Sequence, residues 1–243
     1  MGTVVQIVLY ALVPASIMVA AGMVALFRAP GPNLRSALMH FAAGIVFAVL
    51  AIEFLPDLVH AHSALATAVG FAAGTVVMLG IRAANEKSGT KMNGGTADIG
   101  PSAGLLFATA VDLMIDGLML GIGFAAGAKE GLLLTIALSF ELLSLGMAVA
   151  VELGQGGTNR KRILLCIGGL AALFLVGAGA GTTALQLITG ALLVGMIAFG
   201  SAALLFLVTE ELLTEAHEVP ESPWLTATFF VGFLAILLLE LLR

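Results

Sequence analysis

Eight apolar runs succeed one another along this 243-residue chain, each near the ~20 residues that an α-helix needs to cross the hydrocarbon core of a bilayer. The polar breaks between them place helices at about 4–27, 34–59, 64–84, 103–126, 132–153, 163–181, 184–209 and 223–242. The boundary within 177–186 is soft, because Gly-Ala-Gly-Ala-Gly gives little contrast between helix and turn. Seven spans is therefore the alternative to eight, and the seventh helix has room to run on towards Ala216. The fold class is all-α: a polytopic membrane helical bundle of eight transmembrane helices, forming one transmembrane domain over residues 1–243.

Composition agrees. The chain is 60% hydrophobic and 10% charged, where a soluble domain carries roughly a quarter charged residues. The formal charge of −5 matters less than its placement in short clusters between the apolar runs, and no basic patch suits nucleic acid. Cys166 stands in an apolar run as a small buried hydrophobe, and a single thiol forms no internal disulfide. The N-terminus lacks the basic region of a cleavable signal, the first positive charge being Arg28.

Orientation follows from the basic residues. With the N-terminus outside, the inner loops hold eight of them: Arg28, Arg35, Arg82, Lys87, Lys91, Arg160, Lys161 and Arg162. Two, Lys129 and Arg243, stay outside. By the positive-inside rule both termini face outward from the cell (cytoplasmic or inner) membrane. Residues 85–102, rich in Gly, Ser, Thr, Asn and Lys, read as a flexible cytoplasmic loop between helices three and four; the loop has no His or Cys to trap a metal. Tyr10 and Trp224 suit interfacial anchoring.

Asp112, Asp116 and Glu141 lie deep inside apolar runs, and a carboxylate near the bilayer centre costs at least a few kcal/mol on insertion scales. The short turn from Gly127 to Gly131 makes helices four and five antiparallel neighbours. Asp116 is thirteen residues before Lys129 and Glu141 twelve after it. At about 1.5 Å per residue, both sit about 18–20 Å from the turn, near mid-bilayer. Asp112 is one turn deeper on the same face as Asp116. Clustered carboxylates repel unless a proton or cation is shared among them, so the set reads as an ion site or as protonated acids bonded to neighbouring helices. Gly117, Gly121, Gly123 and Gly127 permit close helix packing and leave room for a homodimer. Ser139 and Ser144 offer further oxygens near Glu141, Ser144 less directly because helical spacing turns it to another face.

A second pattern is an inverted echo. Helix two ends in Glu53-Phe-Leu-Pro56-Asp57-Leu-Val-His60, and helix seven in Glu211-Leu-Leu-Thr214-Glu215-Ala-His217. Matching motifs in opposite orientation are what an inverted-topology repeat produces, though two amphipathic helix ends can also coincide. Under the repeat reading Glu53, Asp57 and His60, with His62 beside them, mark an entrance, and Glu211, Glu215 and His217 an exit.

These motifs resemble those of the ZIP (Zrt/Irt-like) metal transporter family. The family's helix-four motif His-Asn-x-Pro-Glu-Gly aligns with residues Asp112 to Gly117, and its helix-five motif His-Glu-x-Pro-Glu-Gly with Glu141 to Gly146. Its helix-seven Glu-x-x-Pro-Glu-x-His aligns with Glu211 to His217, Thr214 standing for Pro. The resemblance implies a 3+2+3 inverted-repeat arrangement in which helices four and five carry the metal. The departures are at the ligands. Asp112 and Glu141 replace His, Leu113 replaces Asn, and Leu142 and Leu145 occupy acidic positions, so at most one of two adjacent metal positions remains. Ile115 and Ser144 replace the prolines that break the family's helices. Carboxylates in place of imidazole move preference towards Mn²⁺, Fe²⁺, Mg²⁺ or Ca²⁺, with Zn²⁺ still accommodated.

The leading reading is a transporter carrying divalent metal from outside to cytosol. The alternatives are a proton-coupled transporter of another small solute, whose partner is the proton rather than a metal, and a ZIP-like sensor or scaffold without flux. An enzyme is disfavoured. No Gly-x-Gly-Asp or His-Glu-x-x-His motif is present, and Asp112 and Asp116 share one helix, which suits opposed acid and base work poorly.

Overall fold

A computed structural model of the chain describes residues 3–28, 31–92, 101–185, 190–217, 219–220 and 222–242. Among the described residues there is no strand. The long helices are α1 (Thr3–Phe27), α2 (Pro32–His60), α3 (Ala64–Met92), α4 (Pro101–Ala126), α5 (Ala128–Gln155), α6 (Arg160–Leu185), α7 (Ala191–Ala216) and α8 (Pro223–Leu241). All but α4 contain an uninterrupted stretch long and apolar enough to cross a membrane, and α4 itself runs for 26 residues with two acids at its middle. The chain is a multi-pass membrane protein.

Two boundaries differ from the sequence expectation. Helix α3 runs on to Met92 rather than stopping at Ala84, and the rest of the expected 85–102 loop, residues 93–100, lies outside the described residues. Helix α6 runs on through the Gly-rich stretch to Leu185 rather than ending at 181, and α7 begins at Ala191 rather than 184, after Gly190, whose φ of +67° suits glycine. Gly177 and Gly181 of α6 are contact points rather than breakers. A methyl on Gly177 would collide with the Met114 carbonyl oxygen, and one on Gly117 with that of Phe174. Helices α4 and α6 thus touch backbone to backbone, as small residues allow in a medium that provides no hydrophobic drive between helices.

Contacts at the two ends fix the alternation of helix direction. Tyr10 of α1 stacks on Phe124 of α4, ring centroids 5.2 Å apart, and Lys129 of α5 reaches Glu53 of α2 and Glu240 of α8. These groups define the hairpin end. At the other end Arg160 of α6 lies over the Phe27 ring of α1, Arg35 of α2 pairs with Glu215 of α7, and Arg82 of α3 pairs with Glu210 of α7. This is the arginine end. The closest helix pairs are α4 with α6, α1 with α5, α2 with α8, and α3 with α7. Exchanging α1, α2 and α3 for α6, α7 and α8, and α4 for α5, maps this set of pairs onto itself. Helices α2 and α5 are the most enclosed, while α3 and α8 expose apolar side chains such as Leu65, Val76, Phe230 and Leu238.

One π-turn, Leu50–Phe54, interrupts α2, and another, Leu207–Leu212, interrupts α7. Each π-turn widens the helix by one residue and directs a carboxylate, Glu53 or Glu211, off the regular α-helical register. The causes differ. Pro56 has no N–H to give the carbonyl four residues back and crowds it. In α7 Thr214 stands at the matching place, and its hydroxyl donates to the Thr209 carbonyl five residues back at 3.4 Å. Helices α4 and α5 run unbroken past Ile115 and Ser144, as the absence of proline there leads one to expect.

Candidate metal centre

Asp112, Asp116 and Glu141 converge. Each offers one carboxylate oxygen, and the three oxygens lie within 4.8 Å of one another. Asp112 and Asp116 come from successive turns of α4, and Glu141 reaches them from α5 across the hairpin. Oxygens at that separation can all bind one ion whose metal–oxygen bonds are about 2.0–2.6 Å. Asp116 and Glu141 are each 3% exposed, whereas Asp112 is half-buried. One oxygen on each of the two buried acids, Asp116 Oδ2 and Glu141 Oε2, has no hydrogen-bond partner. Buried lone pairs without a donor are costly unless a cation or proton occupies the space between them.

A fourth carboxyl joins them. Glu211, set by the π-turn of α7, is hydrogen-bonded to Asp112 and lies within electrostatic reach of Asp116 and Glu141. Two carboxyl groups joined by a hydrogen bond hold one proton between them, since an ionised carboxylate has only acceptors. The sequence places Glu211 in an exit with Glu215 and His217; the structure brings it into the cluster instead. Its neighbour Glu210 points the other way, to Arg82. Adjacent residues of a helix project about 100° apart, so the two acids divide between the cluster and Arg82.

The cluster is not equally enclosed on its two sides. Towards the hairpin end Leu120, Leu134 and Leu138 are fully buried above it. Towards the arginine end Asp112 and Glu211 are half-buried, and Glu215 follows one turn later on α7. At the two positions that are acidic in the family motif, Leu142 is fully buried core and Leu145 is half-buried among apolar neighbours.

The remaining expected residues fall at the two ends. At the hairpin end Glu53 is buried and its carboxylate takes Lys129 Nζ at 2.9 Å, while the same ammonium reaches Glu240 at 2.8 Å. Asp57, His60 and His62 are exposed there, His62 with a φ of +48°. At the arginine end Glu215 pairs with Arg35, and His217 is exposed with its ring edge-on to His40, centroids 5.1 Å apart. Ser139 donates to the Thr135 carbonyl at 2.6 Å, so its hydroxyl proton is committed to its own helix. Ser144 is completely buried with no partner for its hydroxyl.

Sequence reasoning missed His40 altogether. It is 3% exposed in the enclosed half of α2, and only its i,i+4 relation to Ser36 marks it in the sequence. No protein-family model matches this chain, and no curated protein matches it. The resemblance to the ZIP family rests on the motif positions alone.

Proposed function

We propose that this protein is a ZIP-like transporter that moves divalent metal cations through the bilayer, from the hairpin end outside to the arginine end in the cytosol. The observation that carries this reading is the meeting of Asp112, Asp116 and Glu141 oxygens within 4.8 Å, with two of those buried acids holding an oxygen that has no partner. Carboxylates in that arrangement bind a hard divalent ion such as Mn²⁺, Fe²⁺, Mg²⁺ or Ca²⁺ and also accept Zn²⁺. The side assignment follows the basic residues, of which Arg28, Arg35, Arg82 and Arg160 stand at one end.

The helix pairings support inverted repeats, α1–α3 against α6–α8 around the α4–α5 hairpin, because they survive the exchange of the two halves. The paired π-turns at Glu53 and Glu211 support it further. In such a scaffold the site is exposed in turn to each side by motion of the repeats against the hairpin. The buried leucines on the hairpin side make that side the more closed of the two, and Asp112 and Glu211 lie on the arginine side.

The hydrogen bond between Asp112 and Glu211 favours one further element: the protein exchanges protons as metal comes and goes. It also gives the second reading its footing, proton-coupled transport of another solute. Metal content measured in cells expressing the chain separates the two. Divalent metal accumulates with the wild type and not with Glu141→Gln if the first reading holds; equal metal content in both would leave the second.

A further inference from the structure

His40 Nδ1 lies 2.9 Å from the Ser36 carbonyl oxygen, one turn back on α2. A carbonyl only accepts, so Nδ1 carries the proton and donates it. In the neutral ring the second nitrogen, Nε2, is then the one with a bare lone pair. It is buried and has no hydrogen-bond partner. Nε2 is the ring nitrogen farther from α2, and the His217 ring at the end of α7 packs against the same imidazole, T-shaped with the centroids 5.1 Å apart.

This half of α2 is held to the end of α7 by more than the rings. The Ser36 hydroxyl donates to the Ala216 carbonyl at 2.7 Å, so it is not the donor that His40 lacks. Arg35 pairs with Glu215 beside it. An imidazole that donates one N–H to a backbone carbonyl, with the opposite nitrogen unprotonated and held in place, is arranged as metal-binding histidines are. The second ring comes from a different helix, as a site that opens and closes requires.

From this geometry we infer that His40 and His217 form a second cation site at the arginine end, distinct in chemistry from the carboxylate cluster. Two imidazoles with water completing the shell suit Zn²⁺ and other borderline divalent ions. His217 is six residues beyond Glu211 on α7, about 9 Å along the helix. An ion leaving the carboxylates at Asp112 and Glu211 meets the imidazoles next, and ions that prefer nitrogen are drawn off the oxygen site. The assignment extends the transport reading, but the pair is a binding site whether or not flux occurs.

The test is a calorimetric titration of Zn²⁺ into the purified full chain, with His40→Gln, His217→Gln, Glu141→Gln and the Glu141→Gln/His217→Gln double variant. Two binding events are expected in the wild type, one in each single variant and none in the double variant. X-ray absorption at the zinc edge of Glu141→Gln, loaded with one equivalent of Zn²⁺, is expected to show imidazole scattering that disappears in the double variant. His217 is exposed, so its variant remains informative should His40→Gln fail to fold. Retention of both events in His217→Gln, or an oxygen-only spectrum for Glu141→Gln, overturns the second site. Loss of an event in His217→Gln while Glu141→Gln keeps both would leave the histidine site standing and remove the carboxylate site from the account.

Discussion

Glu211 on α7 is hydrogen-bonded to Asp112 on α4, so a helix outside the central hairpin supplies a fourth carboxyl to the cluster. The neighbouring Glu215 is held by Arg35 instead. The two acids share one face in α-helical spacing but do different work. Glu211→Gln is expected to weaken metal binding at least about tenfold, on the order of 1.4 kcal/mol, and Glu215→Gln to change it less than about twofold. Titration of Mn²⁺ followed by its electron paramagnetic resonance signal measures both.

Metal must displace the proton held between Asp112 and Glu211, because ligands bind a cation in their ionised form. The sign follows directly: affinity falls as pH falls, by about tenfold per pH unit for each proton displaced. Titrations in buffers of different ionisation enthalpy are expected to show proton release on binding. A heat independent of the buffer would contradict the shared proton.

Without a bound cation, the unpartnered buried oxygens of Asp116 and Glu141 weigh against the fold. Asp116→Asn and Glu141→Gln are expected to raise the melting temperature of the metal-free protein, by removing charge from an enclosed position, while abolishing the further rise that metal gives the wild type. Melting curves with and without Mn²⁺ read both effects.

Lys129 joins the hairpin to Glu53 of α2 and Glu240 of α8, the former carboxylate being nearly enclosed. Lys129→Gln leaves Glu53 without its cation and is expected to destabilise the protein by about 1–3 kcal/mol. Adding Glu53→Gln is expected to recover part of that loss. Denaturation of the two single variants and the double variant gives the coupling.

Helix contact through glycine makes a sharp contrast between positions. Gly117→Ala places a methyl against the Phe174 carbonyl and is expected to cost about 1–3 kcal/mol or to prevent assembly. Gly169 has open space around it, so Gly169→Ala is expected to be neutral or slightly stabilising, by up to roughly 1 kcal/mol. Thermal melts in detergent decide both.

Much of this arrangement is legible in the sequence. The apolar runs give the helices, and counting from the Lys129 turn brings Asp112, Asp116 and Glu141 to one level without further assumption. What the sequence does not show is which carboxylates a π-turn redirects. Pro56 signals the one in α2, but in α7 Thr214 stands at the matching place and carries no such signal. Glu211 is therefore placed with Glu215 in the sequence and with Asp112 in the molecule. His40 is hidden for a different reason: its importance lies in a missing partner, and a missing partner is visible only when all the neighbours are in place. The Gly177–Gly181 run misleads because glycine ends helices in water but brings them together in lipid.

The most direct test of the account is cation flux into proteoliposomes holding the purified protein, screened across Mn²⁺, Fe²⁺, Zn²⁺, Mg²⁺ and Ca²⁺, with Glu141→Gln beside it. The account predicts saturable flux of at least one of these ions, lost in the variant. Folded wild-type protein that carries none of them, or flux that Glu141→Gln leaves unchanged, would contradict it.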